Sequence, residues 1–501
     1  MRRCALVLAC VVAAGVTPAE AAMAPRYGGT LTVALPEAPT SLDPAHLRTL
    51  SDRIAAAALF DTLFVRGPDG APTPHLVHRH TRSEDGLTIT FWLEPLLRFH
   101  DGGALSSRDV VASWTRLLNP RRRSPHAWLL STVKGAERYR AGAMTKVQGF
   151  QVLNDLCFRV RLSRPDPLFL HRLTALPLAV VPAGIDRRRR AFATQPLGSG
   201  PFRFRGFEAD GALALESWSE HPRGRPLLDG IRLVPPGPRP VDLAVDRSAR
   251  VIGRTRTVET GSWRAVMLEP GARLDLGSLP VREAIFGLLD REALRERFGR
   301  GRTEAAPGLL PFRGIAERSV PAPRIQKSRA RAVLLAAELP SRVVLLVRRD
   351  PAAHARLAET LGQTLREEGL RIELDAADPL GFVRSRNLEL MDLTVATLDP
   401  FAPESELIAE QVRSWYGVKR LSALGRGLTA LPLYREASCL EGRVGLQGLE
   451  IRADGTIPFE WIWIAPDRRA PAMAEEPDPD AAPDAAAPDA AAAEPRKPIA
   501  D

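Results

Sequence analysis

Three closely spaced histidines are the first residues that could carry chemistry, because imidazole is the commonest side-chain ligand of metal ions in proteins. His75, His78 and His80 lie in a stretch that is flanked by prolines. A zinc site needs ligands that converge on one point, and a proline-flanked loop does not provide that convergence. We therefore interpret the three as loop histidines, and the sequence predicts neither a bound metal ion nor a cofactor.

A serine between two glycines is the second candidate, because nucleophilic serines often lie on tight turns. The segment Gly198-Ser199-Gly200 lacks the Gly-x-Ser-x-Gly spacing of a nucleophile elbow, and the sequence names no Asp or His partner for it. The glycines instead favour a tight turn before a strand at Phe202. The pair His100-Asp101 also belongs to a turn. No catalytic residues are predicted, and we do not expect the chain to be an enzyme.

The first residues are typical of an export signal. Two arginines precede a short apolar run from Cys4 to Val16, and Ala19-Glu20-Ala21 fits a cleavage site. The apolar run is too short for a stable membrane anchor. Residues 1–21 are therefore predicted to be a signal peptide that is removed on export to the periplasm. Cys10 would mark a lipoprotein, but the residues before it make a poor lipobox, so no lipid anchor is expected.

The formal net charge of +10 raises the question of nucleic-acid binding. Runs such as Arg121-Arg122-Arg123 and Arg187 to Arg190 lie in proline-flanked stretches, without the interleaved aromatic residues that stack on bases. We interpret the arginines as solvated surface and expect no nucleic-acid partner. Residues 471–501 are rich in Pro, Ala and Asp, lack apolar periodicity and are predicted to be disordered.

Apolar periodicity divides the rest of the chain into two α/β parts. In the first part, apolar residues alternate along positions 31–35, as in a half-buried strand. In the second part, a continuous apolar strand at 342–347 is followed by a helical pattern at 353–368 and by strands at 370–374 and 391–398. A strand–helix–strand order of this length predicts a right-handed parallel βαβ unit.

Three other patterns predict elements along the chain. A capping-box-like start at Ser106 predicts a helix through Leu118. Asp210-Gly211 predicts the turn of a hairpin. Apolar spacing predicts one helix from Val281 to Phe298.

Several short segments, spread over roughly residues 27–465, follow one another in a fixed order. They are Gly28–Val33, Thr40–Pro44, Phe99–Gly102, Pro196–Phe202 and Val281–Arg291. In this order and at these distances they resemble the periplasmic solute-binding proteins that serve dipeptide, oligopeptide and nickel ABC importers, the family 5 extracellular solute-binding proteins. The later segments Leu431–Tyr434 and Val444–Leu449 resemble the closing strands of that family.

The resemblance implies an α/β protein with the two-lobed periplasmic-binding-protein fold (type II, class C-like) and an extra domain inserted in the first lobe. The first lobe would comprise residues 27–58, 194–266 and 428–468, the inserted subdomain residues 59–193, and the second lobe residues 267–427. We expect the second lobe to be shortened, because stretches that relatives carry after Ile231 and after Pro400 are reduced here.

The family binds its ligand between the lobes, so the resemblance also implies contact residues. In the first lobe these are Thr40, Ser41, Leu42 and His126. In the second lobe they are Leu393, Thr394, Val395, Ala396, Thr397 and Asp399. In the peptide-binding members, an extended ligand adds to backbone edges from both lobes.

Two positions depart from the peptide-binding members. Ala396 replaces a carboxylate that holds the amine of the ligand, and Leu390 replaces an arginine that pairs with a ligand carboxylate in some members. A buried ligand charge without its partner costs several kcal/mol, so we do not expect these two positions to hold a zwitterionic peptide. Asp399 could take over the amine role, or it could simply end the strand.

The leading hypothesis is an exported monomeric solute-binding protein of an ABC importer. It would capture a peptide-like or other small organic ligand by closure of two lobes and present it to an inner-membrane permease. The alternative is a degenerate homologue that acts as a ligand-independent envelope scaffold or partner-binding protein. Cys157 and Cys439, which the resemblance places in one lobe, could form a disulfide.

Overall fold

Alternating apolar residues build an inner strand of the largest sheet. Strand β1 (Thr30–Ala34) buries Leu31 and Val33 completely. It pairs in parallel with β10 (Gly230–Val234) and β11 (Leu243–Val245). The strand predicted at 31–35 is confirmed.

A computed structural model describes residues 24–465, except 68, 189–191, 193–194, 272–277, 300–301, 306–324, 338, 340, 350–351, 379–381, 383–384, 386–390, 399–403, 417–429 and 453. The other strands are β2 Phe64–Arg66, β3 Pro72–Pro74, β4 Val77–Arg82, β5 Thr88–Leu93, β6 Phe150–Asn154, β7 Cys157–Arg161, β8 Phe202–Phe207, β9 Leu213–Ser217, β12 Thr255–Pro270, β13 Thr303–Ala305, β14 Val343–Arg348, β15 Ile372–Ala377, β16 Leu393–Leu398, β17 Leu431–Arg443, β18 Leu446–Gln447 and β19 Trp463–Ile464. The α-helices are α1 Leu50–Leu59, α2 Ser107–Leu118, α3 Ala136–Arg140, α4 Phe169–Arg172, α5 Leu279–Gly287, α6 Arg291–Phe298, α7 Lys327–Ala336, α8 Ala352–Glu367 and α9 Ser405–Tyr416.

One sheet contains eleven of the strands. Its order is β15-β14-β16-β12-β17-β11-β1-β10-β9-β8, and β13 also pairs with β17. A separate four-stranded sheet has the order β4-β5-β7-β6. Strand β14 pairs in parallel with both β15 and β16, which confirms the predicted βαβ unit around α8. Strands β8 and β9 form the predicted hairpin, and Gly211 in its turn has a φ of +81°, which glycine adopts without strain.

The helices follow their capping residues. Helix α2 begins after Ser106, which forms a capping box with Asp109, as predicted. The single helix predicted from Val281 to Phe298 is wrong, because the structure has α5 and α6 with a break between them. The side chain of Asp290 accepts a hydrogen bond of 3.0 Å from the amide of Ala293, and this cap starts a second helix. None of the described helices is long and apolar enough to cross a membrane.

Three large clusters of buried apolar residues lie in the described part of the chain. Core 1 draws on residues between 45 and 180 together with Leu407. Core 2 draws on residues 31–60, 176–245 and 440–462. Core 3 draws on residues between 266 and 434. The predicted boundaries of the two lobes and of the inserted subdomain stay a prediction.

The two longest strands run from core 2 to core 3. Leu440 of β17 belongs to core 2 and Leu433 of the same strand to core 3. On β12, Val258 packs against core 2 and Val266 belongs to core 3. The pairing of β12 with β17 is interrupted between Glu259 and Trp263. These strands therefore connect the two cores covalently and by hydrogen bonds.

The Gly-Ser-Gly segment packs against the end of α1 more closely than any side chain would allow. A Cβ atom on Gly198 would lie 1.9 Å from the carbonyl oxygen of Leu59, and one on Gly200 would lie 2.5 Å from the carbonyl carbon of Leu59. His100 fixes the same segment, because Gly198 donates to its Nδ1 at 3.4 Å and its Nε2 lies 2.9 Å from the Gly200 carbonyl oxygen. The glycines therefore serve close backbone approach, and His100 is a structural residue.

Replacement of Gly198 by Ala tests this close approach. We expect G198A to lower the free energy of unfolding by about 1–3 kcal/mol, because the added methyl group must push the loop away from Leu59. Gly206→Ala is the matched control, since a Cβ there would meet nothing within 4 Å. Urea unfolding followed by tryptophan fluorescence measures both, and equal stabilities of the two variants would contradict the expectation.

Candidate functional site

A single arginine joins the two segments that the sequence analysis placed in the ligand site. Arg348 ends β14, and its guanidinium binds the carboxylate of Glu37, which follows β1. Its Nη2 also donates to the Thr397 hydroxyl on β16 at 3.3 Å. The side chains of Glu37 and Arg348 are 5% and 12% exposed. We call these three residues the seam.

The loop after β1 is held by a buried carboxylate. Asp52 on α1 accepts hydrogen bonds from the amide and the hydroxyl of Thr40 at 2.5 and 2.8 Å, and from the amide of Ser41 at 3.1 Å. Leu42 is buried in core 2. Both amides and the Thr40 hydroxyl are thus bound by Asp52, and the Ser41 hydroxyl oxygen accepts from the amide of Asp43 at 3.1 Å, so the contact of these residues with a ligand stays a prediction.

His126 lies inside the protein. It is 1% exposed, and its Nε2 lies 2.5 Å from the carbonyl oxygen of Leu47, to which it donates. Burial lowers the pKa of His126 to about 3, so the ring is neutral at physiological pH. In this structure the residue anchors the loop behind the seam, and its contact with a ligand stays a prediction.

Strand β16 turns most of its side chains inward. Leu393 and Val395 belong to core 3, and the hydroxyl of Thr394 donates to the Leu346 carbonyl at 3.0 Å. Ala396 is buried as well, which leaves Thr397 as the one partly exposed residue of this strand. The predicted contact Asp399 and the position of Leu390 lie outside the described residues.

Comparison with known proteins shows similarity to one family. Residues 71–244 match the profile of the bacterial extracellular solute-binding proteins, family 5, middle region. The glutathione-binding protein GsiB of Pectobacterium atrosepticum is 29% identical over 224 residues, 44% of this chain and 41% of that protein. A probable di/tripeptide-binding protein 5 of Pseudomonas aeruginosa is 25% identical over 352 residues, 63% of this chain and 66% of that protein. These matches support the family 5 extracellular solute-binding proteins as the family of this chain.

Solved structures of low sequence identity show the fold of this chain. Haemophilus influenzae OppA in complex with RPPGFSPFR has a TM-score of 0.75 at 14% identity, over 87% of this chain and 99% of that one. The murein tripeptide binding protein MppA of Escherichia coli has a TM-score of 0.74 at 17% identity, over 87% and 98%. The two-lobed α/β fold is confirmed. The chain spans 41%, 31% and 35% of three curated relatives that it matches.

Ion pairs also connect α9 to core 1. Glu404, next to the start of α9, accepts two hydrogen bonds from Arg66 at 2.6 and 2.9 Å. Glu410 accepts from Arg172 at 2.6 Å. Leu407, on the same helix, is 1% exposed in core 1. A helix from the later half of the chain is thereby fixed to the earlier half by ion pairs and a buried leucine.

The proposed disulfide is not formed. Cys157 and Cys439 are both free and buried. Cys157 lies on β7 in the four-stranded sheet, and Cys439 lies on β17 in the eleven-stranded sheet. Each cysteine is fixed by the hydrogen bonds of its own sheet, so the possibility raised from the sequence is wrong for this structure.

The residues that connect the site were missed by the sequence analysis. Glu37 and Arg348 are 311 positions apart, and no local pattern links them. The available signal was a charged residue at the end of an apolar strand, in the case of Arg348, or shortly after one, in the case of Glu37. Such residues lie at strand ends, where ligands bind in α/β sheets, but the signal does not name the partner.

The buried histidines make stability depend on pH. Burial lowers the pKa of His126 to about 3 and that of His100 to about 4, against about 6.5 in the unfolded chain. Below about pH 6.5 the unfolded chain binds protons that the folded protein does not. The free energy of unfolding should therefore decrease as the pH is lowered. The fall should reach about 1.4 kcal/mol per pH unit for each histidine.

Urea unfolding at about pH 7, 6 and 5 measures this dependence. The variant H126Q keeps a side-chain amide that can donate to Leu47 and cannot take up a proton. We expect its stability to fall less steeply with acid than that of the unmodified protein. Parallel curves for the two proteins would show that His126 does not have the lowered pKa.

Proposed function

We propose that this protein is the extracytoplasmic solute-binding protein of an ABC importer, with a peptide-like or other small organic ligand bound between its lobes. The observation that carries the proposal is the seam. There, Arg348 brings together the segment after β1 and strand β16, which are the two segments that the family resemblance implies for ligand contact. Relatives named as glutathione-, di/tripeptide- and oligopeptide-binding proteins support the ligand class.

The charges of the seam favour a ligand without net charge. Glu37 and Arg348 form one pair of opposite charges, and Ala396 contributes no charge. A ligand with equal numbers of amine and carboxylate groups can exchange with this pair without leaving a buried charge unpaired, which would cost several kcal/mol. Closure then follows as a population shift, because the ligand gains contacts on both sides only when the lobes meet.

The alternative of a ligand-independent scaffold rests on the same contacts. Arg348 binds Glu37, and Glu404 and Glu410 bind Arg66 and Arg172. If these pairs hold the lobes together without a ligand, the protein would offer one fixed surface to an envelope partner. The two functions differ in one measurable respect, which is stabilisation by ligand.

Thermal unfolding of the full chain in the presence of a ligand panel tests the proposal. The panel comprises dipeptides, tripeptides, longer peptides, glutathione and opines. A ligand at about 100 times its Kd adds about 2.7 kcal/mol to the stability, so at least one compound should raise Tm by a few degrees. A Tm that stays constant across the panel would favour the scaffold.

Removal of the arginine tests the role of the seam. We expect R348A to weaken binding of the identified ligand by about tenfold or more, because the variant loses the link between the two segments and leaves Glu37 without its guanidinium partner. Arg349→Ala is the matched control, since the exposed Arg349 contacts only the Ala376 carbonyl, at 3.3 Å, in the bonds described. Isothermal titration calorimetry gives the affinities. Equal weakening in both variants would refute a specific role of Arg348.

A further inference from the structure

A polar cavity of about 310 Å³ lies among residues that have no part in the seam. Its wall includes Asp61, His75, Ser199, His221 and Arg223, and we call it the Ser199 cavity. We propose that it is a second binding site, for a small oxyanion of the carboxylate or phosphate class. None of the contact residues expected from the family resemblance lines it.

The negative charge in the cavity wall is already satisfied. Asp61 is 6% exposed, and its Oδ1 accepts from His75 Nε2 at 2.8 Å. His221 Nε2 lies 3.6 Å from the other carboxylate oxygen. Both imidazoles thus lie against the Asp61 carboxylate.

Arg223 supplies a positive charge to the cavity wall. It is an exposed residue, and its Nη1 contacts His75 Nδ1. Among the described residues no carboxylate pairs with Arg223, whereas the nearby Arg225 pairs with Asp229. An anion in the cavity would give this guanidinium a charged partner.

Ser199 provides a second donor. It is 2% exposed, lines the cavity, and its hydroxyl has no hydrogen-bond partner among the described residues. Burial of a hydroxyl without a partner is unfavourable. The close packing of Gly198 and Gly200 on α1 fixes the backbone on both sides of Ser199. A buried hydroxyl that lacks an acceptor and a guanidinium that no described carboxylate pairs suit an oxyanion, which accepts charge-assisted hydrogen bonds.

The remaining charged groups of the wall balance one another. Glu94 and Arg98 also line the cavity, one of each sign, and the Nη1 of Arg98 donates to the Gly102 carbonyl at 2.8 Å. The preference of the cavity for an anion therefore depends on Arg223 and Ser199. Among the described residues no group of three or more His, Cys, Asp or Glu could hold a metal ion, so we do not assign the cavity to a metal.

Titration calorimetry of the full chain with inorganic phosphate, sulfate and citrate tests the proposal, with sodium chloride used to keep the ionic strength constant. We expect saturable binding of at least one of these anions. R223A should weaken it at least tenfold, and S199A should weaken it several-fold. Arg225→Ala is the matched control and should bind as the unmodified protein does. Phosphate binding without citrate binding would assign the phosphate class, and the reverse would assign the carboxylate class.

Two results would overturn the proposal. One is the absence of saturable binding of all three anions, and the other is equal weakening in the variants of Arg223 and Arg225. The test is independent of the proposed import function. R348A should keep anion binding, and R223A should keep the thermal shift caused by a seam ligand, so failure of one site does not mean failure of the other.

Discussion

The fold depends on two long strands that two hydrophobic cores share. Where β12 and β17 pass between core 2 and core 3, Arg264 donates to Glu436 at 2.7 Å and to Asp246 at 2.5 Å, and all three side chains are buried. Asp246 also accepts from the amide of Cys439 at 3.0 Å. Loss of one partner from such a buried network would cost roughly 3–5 kcal/mol. The crossing is therefore fixed by buried ion pairs as well as by the backbone hydrogen bonds between β12 and β17. Any movement of one core relative to the other must bend these strands.

The contacts across the ligand region differ in kind from that crossing. At the crossing, a network of two carboxylates and one guanidinium is enclosed by strands. At the seam and at α9, ion pairs such as Arg348 with Glu37 and Arg66 with Glu404 join segments that no shared strand connects. The pairs at α9 are linked to one another's neighbours, since Arg172 binds both Asp166 and Glu410. Under the proposed function, the pair at the seam is the contact that a ligand would exchange with, because no strand ladder encloses it.

Elements with a local cause could be predicted from the sequence. The alternation at 31–35 and the apolar strand, helix and strand from 342 to 374 have the period of their own secondary structure, and the structure has them within three residues. The prediction of one helix from Val281 to Phe298 was wrong. The apolar spacing continues through the break, but the cap at Asp290 starts a second helix. Contact partners could not be predicted, since Glu37 meets Arg348 over a separation of 311 residues. His126 shows the same limit, because the sequence cannot tell an exposed ring from one that is buried against a backbone carbonyl.

The Gly-Ser-Gly segment shows how a motif can be rejected for one role and still matter for another. A nucleophilic serine needs a base within hydrogen-bond reach, and the Ser199 hydroxyl has no hydrogen-bond partner among the described residues. Because burial of such a hydroxyl is unfavourable, the residue favours an occupant of the cavity beside it that can accept a hydrogen bond. The glycines allow the segment to pack closely on Leu59, which fixes the backbone on both sides of the hydroxyl. This buried donor, in one cavity wall with an arginine that no described carboxylate pairs, supports the proposed anion site.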